Sequence, residues 1–350
     1  MKQYLTRTWL TRGWLPCLLW PLAQLYGLAV RLRRAFYRWG LLRSERFGIP
    51  VIVVGNVVAG GAGKTPLVMA LVRHLQARGL QVGVVSRGFG RTASDVLEVH
   101  ADTCARDAGD EPVLLKRATG APVFVGPKRT EAVRALLATY PATAVVVCDD
   151  GLQHYALRRD IEIAVFDDRG LGNGWLLPAG PLREPWPARQ RQGVNLVLHT
   201  GSAPAFAGFR SRRELASHAV SAKGSRLALD ALRGQPVVAM AGIANPQAFF
   251  AMLRQRGLTL NHILALPDHH DFSGNELAGY PAGQVFLCTE KDAVKLFSQT
   301  ASHAFSVYAV PLEFSPETAF FTALDELLQP LLHPDTSRSP LPSSHGHQTT

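Results

Sequence analysis

The sequence predicts an α/β protein: a doubly wound, mainly parallel sheet, then a second, smaller α/β domain, with a hydrophobic membrane-associated helix ahead of both. Short apolar runs bounded by turn residues alternate with stretches of helical spacing, the pattern of a buried parallel sheet covered by helices. A polar, irregular stretch divides two such series. An uncharged run rich in Leu and Trp, flanked by arginines, lies near the start of the chain.

Residues 1–46 form the anchor segment. They hold nine basic side chains against one acid, Glu45, so most of the chain's formal charge of +10 sits here. The uncharged run from Gly13 to Val30 is interrupted by Pro16, Pro21 and Gln24, which weakens it as a membrane span. An Arg cluster follows it instead of a small-residue cleavage site, which argues against a signal peptide. The favoured form is an interfacial anchor, with Trp9, Trp14, Trp20, Tyr26, Tyr37 and Trp39 at the headgroup boundary and the arginines on anionic lipid. No nucleic-acid module follows the basic segment, and nothing in the sequence points to an obligate protein partner.

Residues 47–200 form the first domain. Val51–Val54 is a continuous apolar strand after Pro50, and Leu67–Arg78 has helical spacing that stops at Gly79. Val82–Ser86, Ala121–Val125, Ala144–Cys148, Ile161–Phe166 and Asn195–His199 are further strands, with a helix over Thr130–Thr139. Residues 201–234 read as a linker rich in Ser, Ala, Gly and Arg. A second α/β unit over 235–332 begins with a strand at Val237–Met240. It continues with a helix around Pro246–Arg256 and strands near His262–Ala265, Val285–Cys288 and Val307–Val310. Residues 333–350, rich in Ser, Pro and His, read as a disordered tail.

Composition excludes several classes. With 47% hydrophobic and 18% charged residues the chain is not intrinsically disordered. One near-spanning stretch excludes a polytopic membrane protein. The four cysteines are scattered with no CxxC pair, so no zinc knuckle is offered and a reducing compartment fits.

The strongest chemical signal follows the first strand, where Gly55-Asn-Val-Val-Ala-Gly60-Gly61-Ala62-Gly63-Lys64-Thr65-Pro66 runs into a helix. Glycines let backbone N–H groups crowd around phosphate oxygens, and the helix N-terminus adds partial positive charge. Lys64 would reach the β- and γ-phosphates of ATP, and the Thr65 hydroxyl would ligate Mg²⁺. The strict phosphate-loop pattern wants Gly at position 58 and a variant wants Lys at 59; the chain has Val58 and Ala59. The strand–loop–helix context still marks a P-loop nucleotide site, and the fold is expected to be P-loop NTPase-like. A second strand ends in Asp149-Asp150, where P-loop proteins place an acid that holds Mg²⁺; either residue fits that role. Gln153 and His154 follow directly and are expected to line the same cleft.

Seven segments, in order, go beyond a generic phosphate loop: Gly55-Asn-Val with Gly60–Pro66, Ser86-Arg-Gly-Phe-Gly-Arg91, Gly109-Asp-Glu-Pro112, Asp149-Asp-Gly-Leu-Gln-His154, Leu177-Pro-Ala-Gly-Pro-Leu-Arg-Glu-Pro185, Pro267-Asp-His-His-Asp-Phe272 and Thr289-Glu-Lys-Asp292. Together they closely resemble the tetraacyldisaccharide 4′-kinase family, the lipid A 4′-kinases of Gram-negative bacteria, over residues 10 to about 330. The resemblance implies ATP, Mg²⁺ and γ-phosphoryl transfer to the 4′-hydroxyl of a tetraacylated glucosamine disaccharide 1-phosphate, giving lipid IVA. It implies work at the cytoplasmic face of the inner membrane. It places the general base at Asp110, paired with His269. Glu111 would assist with metal or substrate.

Transition-state charge calls for cations. Arg87, Arg91, Arg129 and Arg183 are the candidates, and the resemblance favours Arg129 and Arg183. It also brings Glu184 and Asn195 near the site. Many relatives carry Tyr where Phe89 stands. Lys291, in the second domain, is expected to reach toward nucleotide. The rival function is a membrane-associated switch ATPase of the partitioning or targeting type, and Ala59 argues against it because a signature Lys is missing there.

Overall fold

The computed structural model describes residues 8–91, 93–186, 194–272, 275–277, 279–281, 283–300 and 306–333. Its larger sheet contains β1 (Val51–Gly55), β2 (Val82–Ser86), β3 (Leu97–Val99), β4 (Val123–Val125), β5 (Val145–Asp149), β6 (Ile161–Phe166), β7 (Val194–His199), β8 (Phe209–Leu215) and β15 (Leu312–Pro316), in the order β15-β8-β7-β6-β1-β5-β2-β4-β3. All pairs are parallel except the two edge pairs, β3 with β4 and β15 with β8. From β1 the chain builds outward on one side and then returns through β5 to continue on the other. The carboxyl ends of β1, β5 and β6 therefore frame a topological switch point, where ligands bind in such sheets.

Alternation along β1 explains its two-sided burial. Ile52 and Val54 face one core, with Leu67, Leu71 and Leu75 of α2 (Lys64–Ala77) and Phe320, Leu324 and Leu328 of α8 (Thr318–Leu332). Val51 and Val53 face the other, with Ala132, Val133 and Leu136 of α5 (Arg129–Thr139). Both faces are dry, which is why the strand reads as unbroken Val and Ile.

The smaller sheet contains β9 (His218–Ser221), β10 (Arg226–Ala228), β11 (Val237–Ala241), β12 (Leu260–Ala265), β13 (Val285–Thr289) and β14 (Ser306–Val310), in the order β10-β9-β14-β13-β11-β12. Phe249, Phe250 and Leu253 of α6 (Pro246–Gln255) cover one face, and Ala293 and Leu296 of α7 (Glu290–Thr300) cover the other. Asn245 caps α6 by accepting from the Ala248 N–H, and Pro246 stands at the first helical position, where no donor is wasted.

Two expectations on organisation are corrected. Residues 201–234 are not a plain linker: β8 joins the larger sheet, and β9 and β10 form the edge of the smaller one. β8 reads as polar because Arg210, Arg212 and Glu214 alternate outward, while Phe209 and Leu215 turn in with Arg213, which lines the cleft. The unit over 235–332 is also not contiguous in space, since β15 pairs antiparallel with β8 and α8 packs on the larger sheet. His74 on α2 bonds Asp325 on α8 at 3.0 Å and stacks on Phe321, which fixes that return. The expected tail at 333–350 lies, apart from His333, outside the described residues.

The N-terminal segment expected to anchor the chain forms a 25-residue helix α1 (Trp14–Arg38). Only Pro16, Ala23 and Gly27 are buried, while Trp14, Leu18, Leu22, Leu25 and Leu28 are exposed. One face docks on the body. The Tyr26 hydroxyl donates to the Arg183 carbonyl at 2.9 Å, the Trp9 indole donates to the Pro178 carbonyl at 2.9 Å, and Arg33 lies over the Tyr155 ring.

Candidate active site

The loop between β1 and α2 sets the first part of the site. Gly60 and Gly63 adopt φ of +104° and +81°, a left-handed conformation costly for any other residue. Gly63 stands just before Lys64, the first residue of α2, so the turn delivers the lysine and the helix N-terminus together. The Lys64 ammonium donates to Asn56 Oδ1 at 3.3 Å and pairs with Asp150 Oδ1 at 3.5 Å. Thr65, largely buried, and Pro66 follow in the first turn.

The β1–β5 register sets Val54 beside Asp149, so the strand-end acids stand next to the loop. They differ sharply. Asp149 is buried, and its Oδ1 has no hydrogen-bond partner among the described residues. Burial, with Glu111 and Asp150 nearby, pushes its carboxyl up to about 7. Asp150 has a φ of +50° and turns toward cations. Burial would raise it, but Lys64, Arg183 and Arg129 outweigh burial and hold it below the usual carboxylate range.

The sequence Asp-Gly-Leu-Gln-His then wraps the site. Arg183 donates to Asp150 Oδ1 at 3.4 Å and to Gln153 Oε1 at 3.5 Å. The Gln153 amide donates to the Asn56 carbonyl and to Glu184 Oε1, at 3.2 Å and 2.7 Å. Glu184 is buried and also accepts from the Tyr155 hydroxyl, so it orients Gln153 instead of facing the cleft. Arg129 is buried and donates to the Asp150 carbonyl at 3.3 Å. Its own N–H donates to His154 Nε2 at 3.3 Å. Burial and the nearby arginines pull His154 down to about 4, so it is neutral at pH 7.

The second part of the site crosses between the lobes. Asp110 opens α4 (Asp110–Thr119) and is buried, with an exposure of 4%. His269, on the loop after β12, bonds its two carboxylate oxygens through Nδ1 at 2.9 Å and 3.1 Å. The Lys295 ammonium stands 3.6 Å from Asp110 Oδ2 and donates to the carbonyls of His269 and His270. Burial works to raise the Asp110 carboxyl, but the hydrogen bond from His269 and the charges of Lys291, His269 and Lys295 win, leaving it below its ordinary value. Lys291 pairs with Glu111 at 3.1 Å and Asp268 at 3.4 Å. It lies 3.4 Å from His269 Nε2. Those acids overcome burial and hold its proton more tightly than usual. His269 has a φ of +64°, so the loop is strained where the pair forms. Phe89 lies over its ring at 5.0 Å between centroids.

Gly61 to Pro66, Glu111 and Lys291 line one cleft of about 240 Å³ between the lobes, together with apolar side chains such as Met69, Ile243, Phe249 and Leu312. The expected residues thus gather, with exceptions. Arg91 donates to the Val125 carbonyl and braces its own loop, and Arg87 is exposed. Asn195 lies in β7, and its side chain is outside the described residues.

The sequence pattern of the tetraacyldisaccharide-1-P 4′-kinases matches residues 15–329. The chain belongs to that family. A tetraacyldisaccharide 4′-kinase of Polaromonas naphthalenivorans is 70% identical over 350 residues, covering 100% of both chains. One from Acidovorax sp. is 55% identical over 334 residues, covering 95% of this chain and 96% of that one. Among solved structures, the "apo" form of LpxK from Aquifex aeolicus in complex with ATP matches with a TM-score of 0.77 and 28% identity, over 91% of this chain and 100% of that one.

Some residues of this kinase site escape sequence reasoning. Lys295 stands four residues after Lys291, which puts both on one face of α7, and that spacing was a usable signal. Asn56 sits within the loop motif yet acts by holding Lys64 and the loop. Thr200 and Arg169 reach the loop from other strand ends and carry no local signature.

Proposed function

We propose that the chain transfers the γ-phosphoryl group of ATP to the 4′-hydroxyl of a tetraacylated glucosamine disaccharide 1-phosphate, forming lipid IVA at the cytoplasmic face of the inner membrane. The observation that carries this reading is the buried Asp110 carboxylate, bonded to His269 beside the cleft that also takes in the phosphate loop. A switch ATPase needs no such base.

In this reading Gly60 to Lys64 cradle the phosphates, and Arg129 and Arg183 hold the acids and loops around the transferred group. Asp110 takes the proton of the sugar hydroxyl as the new O–P bond forms and the bond to ADP breaks. A positioned base is worth about 10²–10⁴-fold. A carboxylate kept below its ordinary range remains ionised and available at neutral pH. His269 and Lys295 orient it. Glu111 and Lys291 hold the lobes together next to it, while Gln153, His154 and Glu184 keep Arg183 and Arg129 in place. Asn195 stands near the start of β7, away from the carboxyl strand ends that frame the site, so the sheet register lends it no role here.

Mg²⁺ fits the residues present. Thr65 and the Asp149 oxygen that has no partner among the described residues would hold it, with phosphate and water completing the shell. When bound, it neutralises phosphate charge. Asp149 is the better ligand of the two acids, because Asp150 is already engaged by Lys64 and Arg183.

The helix α1 supports an interfacial anchor. At 25 residues it is long and apolar enough to cross a membrane. However, its Tyr26 and Gly27 face is docked on the body, which suits a helix lying flat with its outer leucines in anionic lipid. The test is ADP release with and without acceptor lipid in detergent micelles. Release is expected to require the acceptor; equal release without it would favour the switch ATPase.

A further inference from the structure

We infer that Arg169 is a positioning residue that pre-shapes the phosphate loop for the ATP phosphates, an inference that rests on the nucleotide reading above. Arg169 lies on the turn after β6, outside every segment that carries the family resemblance. Its Nη1 donates to the Ala59 carbonyl at 3.2 Å and its Nη2 to the Gly61 carbonyl at 3.0 Å. Asp167 holds the guanidinium in turn, accepting from Nε at 2.9 Å and 3.0 Å.

The geometry of the peptide unit gives these bonds a consequence. In a trans peptide, the carbonyl of one residue and the N–H of the next point in opposite directions. Fixing the carbonyls of Ala59 and Gly61 from outside therefore aims the N–H groups of Gly60 and Ala62 inward. Asn56 completes the set by donating to the Gly60 carbonyl at 2.9 Å, and Thr200 by donating to the Ala62 carbonyl at 2.9 Å. Four successive carbonyls are capped, and four successive N–H groups, on Gly60 to Gly63, are turned the other way. Among the described residues no backbone carbonyl takes up any of these four donors. Successive inward N–H groups make an anion nest.

The fit is close. A Cβ built on Gly60 would stand 2.8 Å from Arg169 Nη1, so Gly60 makes room for the guanidinium as well as the turn. The two-carbonyl grip needs a planar fork, which a lysine does not offer. The same role explains how the loop works with Val58 and Ala59 where stricter patterns have Gly or Lys: its shape is imposed from outside.

The test measures binding of ATP and of inorganic tripolyphosphate to the full chain in detergent micelles, with KM for the lipid acceptor. Arg169→Ala is expected to weaken both phosphate ligands about tenfold, with acceptor KM and melting temperature unchanged. Arg169→Lys is expected to recover only part of that loss. Tripolyphosphate binding within about twofold of the unsubstituted chain in Arg169→Ala would overturn the inference. Full recovery by Arg169→Lys would also overturn it, since charge alone would then suffice. If Arg169→Ala melts early, Asp167→Asn loosens the fork without removing it. That variant is expected to weaken both ligands at unchanged melting temperature, and unchanged binding would overturn the inference as well. Failure of the unsubstituted chain to bind either ligand would instead overturn the nucleotide reading itself.

Discussion

The phosphate loop and the Asp110–His269 pair flank one cleft but are held in different ways. The loop is tied within the larger sheet, by Asn56 from its own turn and by Thr200 and Arg169 from neighbouring strand ends. The pair is held across lobes, by His269, Lys291 and Lys295, which come from the loop after β12 and from α7. The first arrangement is complete within one lobe. The second exists only while the lobes touch. In the proposed reading the phosphate cradle is therefore built by one lobe, although both line the cleft, and the base depends on both.

Substitutions sharpen that contrast. Lys64→Ala is expected to have the largest effect, abolishing labelled phosphate transfer and weakening ATP binding, because no other ammonium reaches the loop from α2. Asp110→Ala is expected to lower kcat by about 10²-fold or more while ATP affinity changes little. A large loss of ATP affinity in that variant would break the division between the two regions. On α1, Leu18→Glu with Leu25→Glu places two charges on outer positions exposed at 69% and 65%. Vesicle co-sedimentation is expected to fall about tenfold or more, with turnover in micelles nearly unchanged.

The smallest expected effect is a pH shift. As the proposed base, Asp110 would act only when ionised. Its carboxyl lies below its ordinary value because His269, Lys291 and Lys295 outweigh burial. The acid limb of kcat should therefore fall below the ordinary carboxylate pKa of about 4. Lys295→Met removes one of these cations, so burial counts for more and the limb should move to higher pH. The same sign applies to stability. A depressed folded pKa contributes stability above the unfolded value, and this is lost as pH falls through the folded value. An unmoved limb in Lys295→Met would mean that Asp110 is not the titrating base.

The two regions also differed in how legible they were. The loop could be read from Gly55 to Pro66 because its chemistry is contiguous and follows an apolar strand. Asp149 could be read as a strand-end acid, but the lack of a partner for its Oδ1 among the described residues and the pairing of Asp150 with Lys64 emerge only from packing. Asp110 and His269 are 159 residues apart, so their contact is a property of the lobe interface, and only the family resemblance anticipated it. β8 was missed because Arg210, Arg212 and Glu214 on its exposed face break the apolar run expected of a strand, although β15 and β7 flank it on both sides. The return of β15 and α8 to the larger sheet was missed because chain proximity points to the smaller one. Arg169 had no local signal, since its role lies in which carbonyls it touches.

The most direct measurement is transfer of label from γ-labelled ATP, with Mg²⁺, to tetraacyldisaccharide 1-phosphate in micelles, comparing the unsubstituted chain with Asp110→Ala. Labelled lipid from the former, and about 100-fold less from a variant that still binds ATP, is the expected result. Equal labelling by Asp110→Ala, or ADP release without labelled lipid from the unsubstituted chain, would contradict a base held between the lobes beside a preformed phosphate loop.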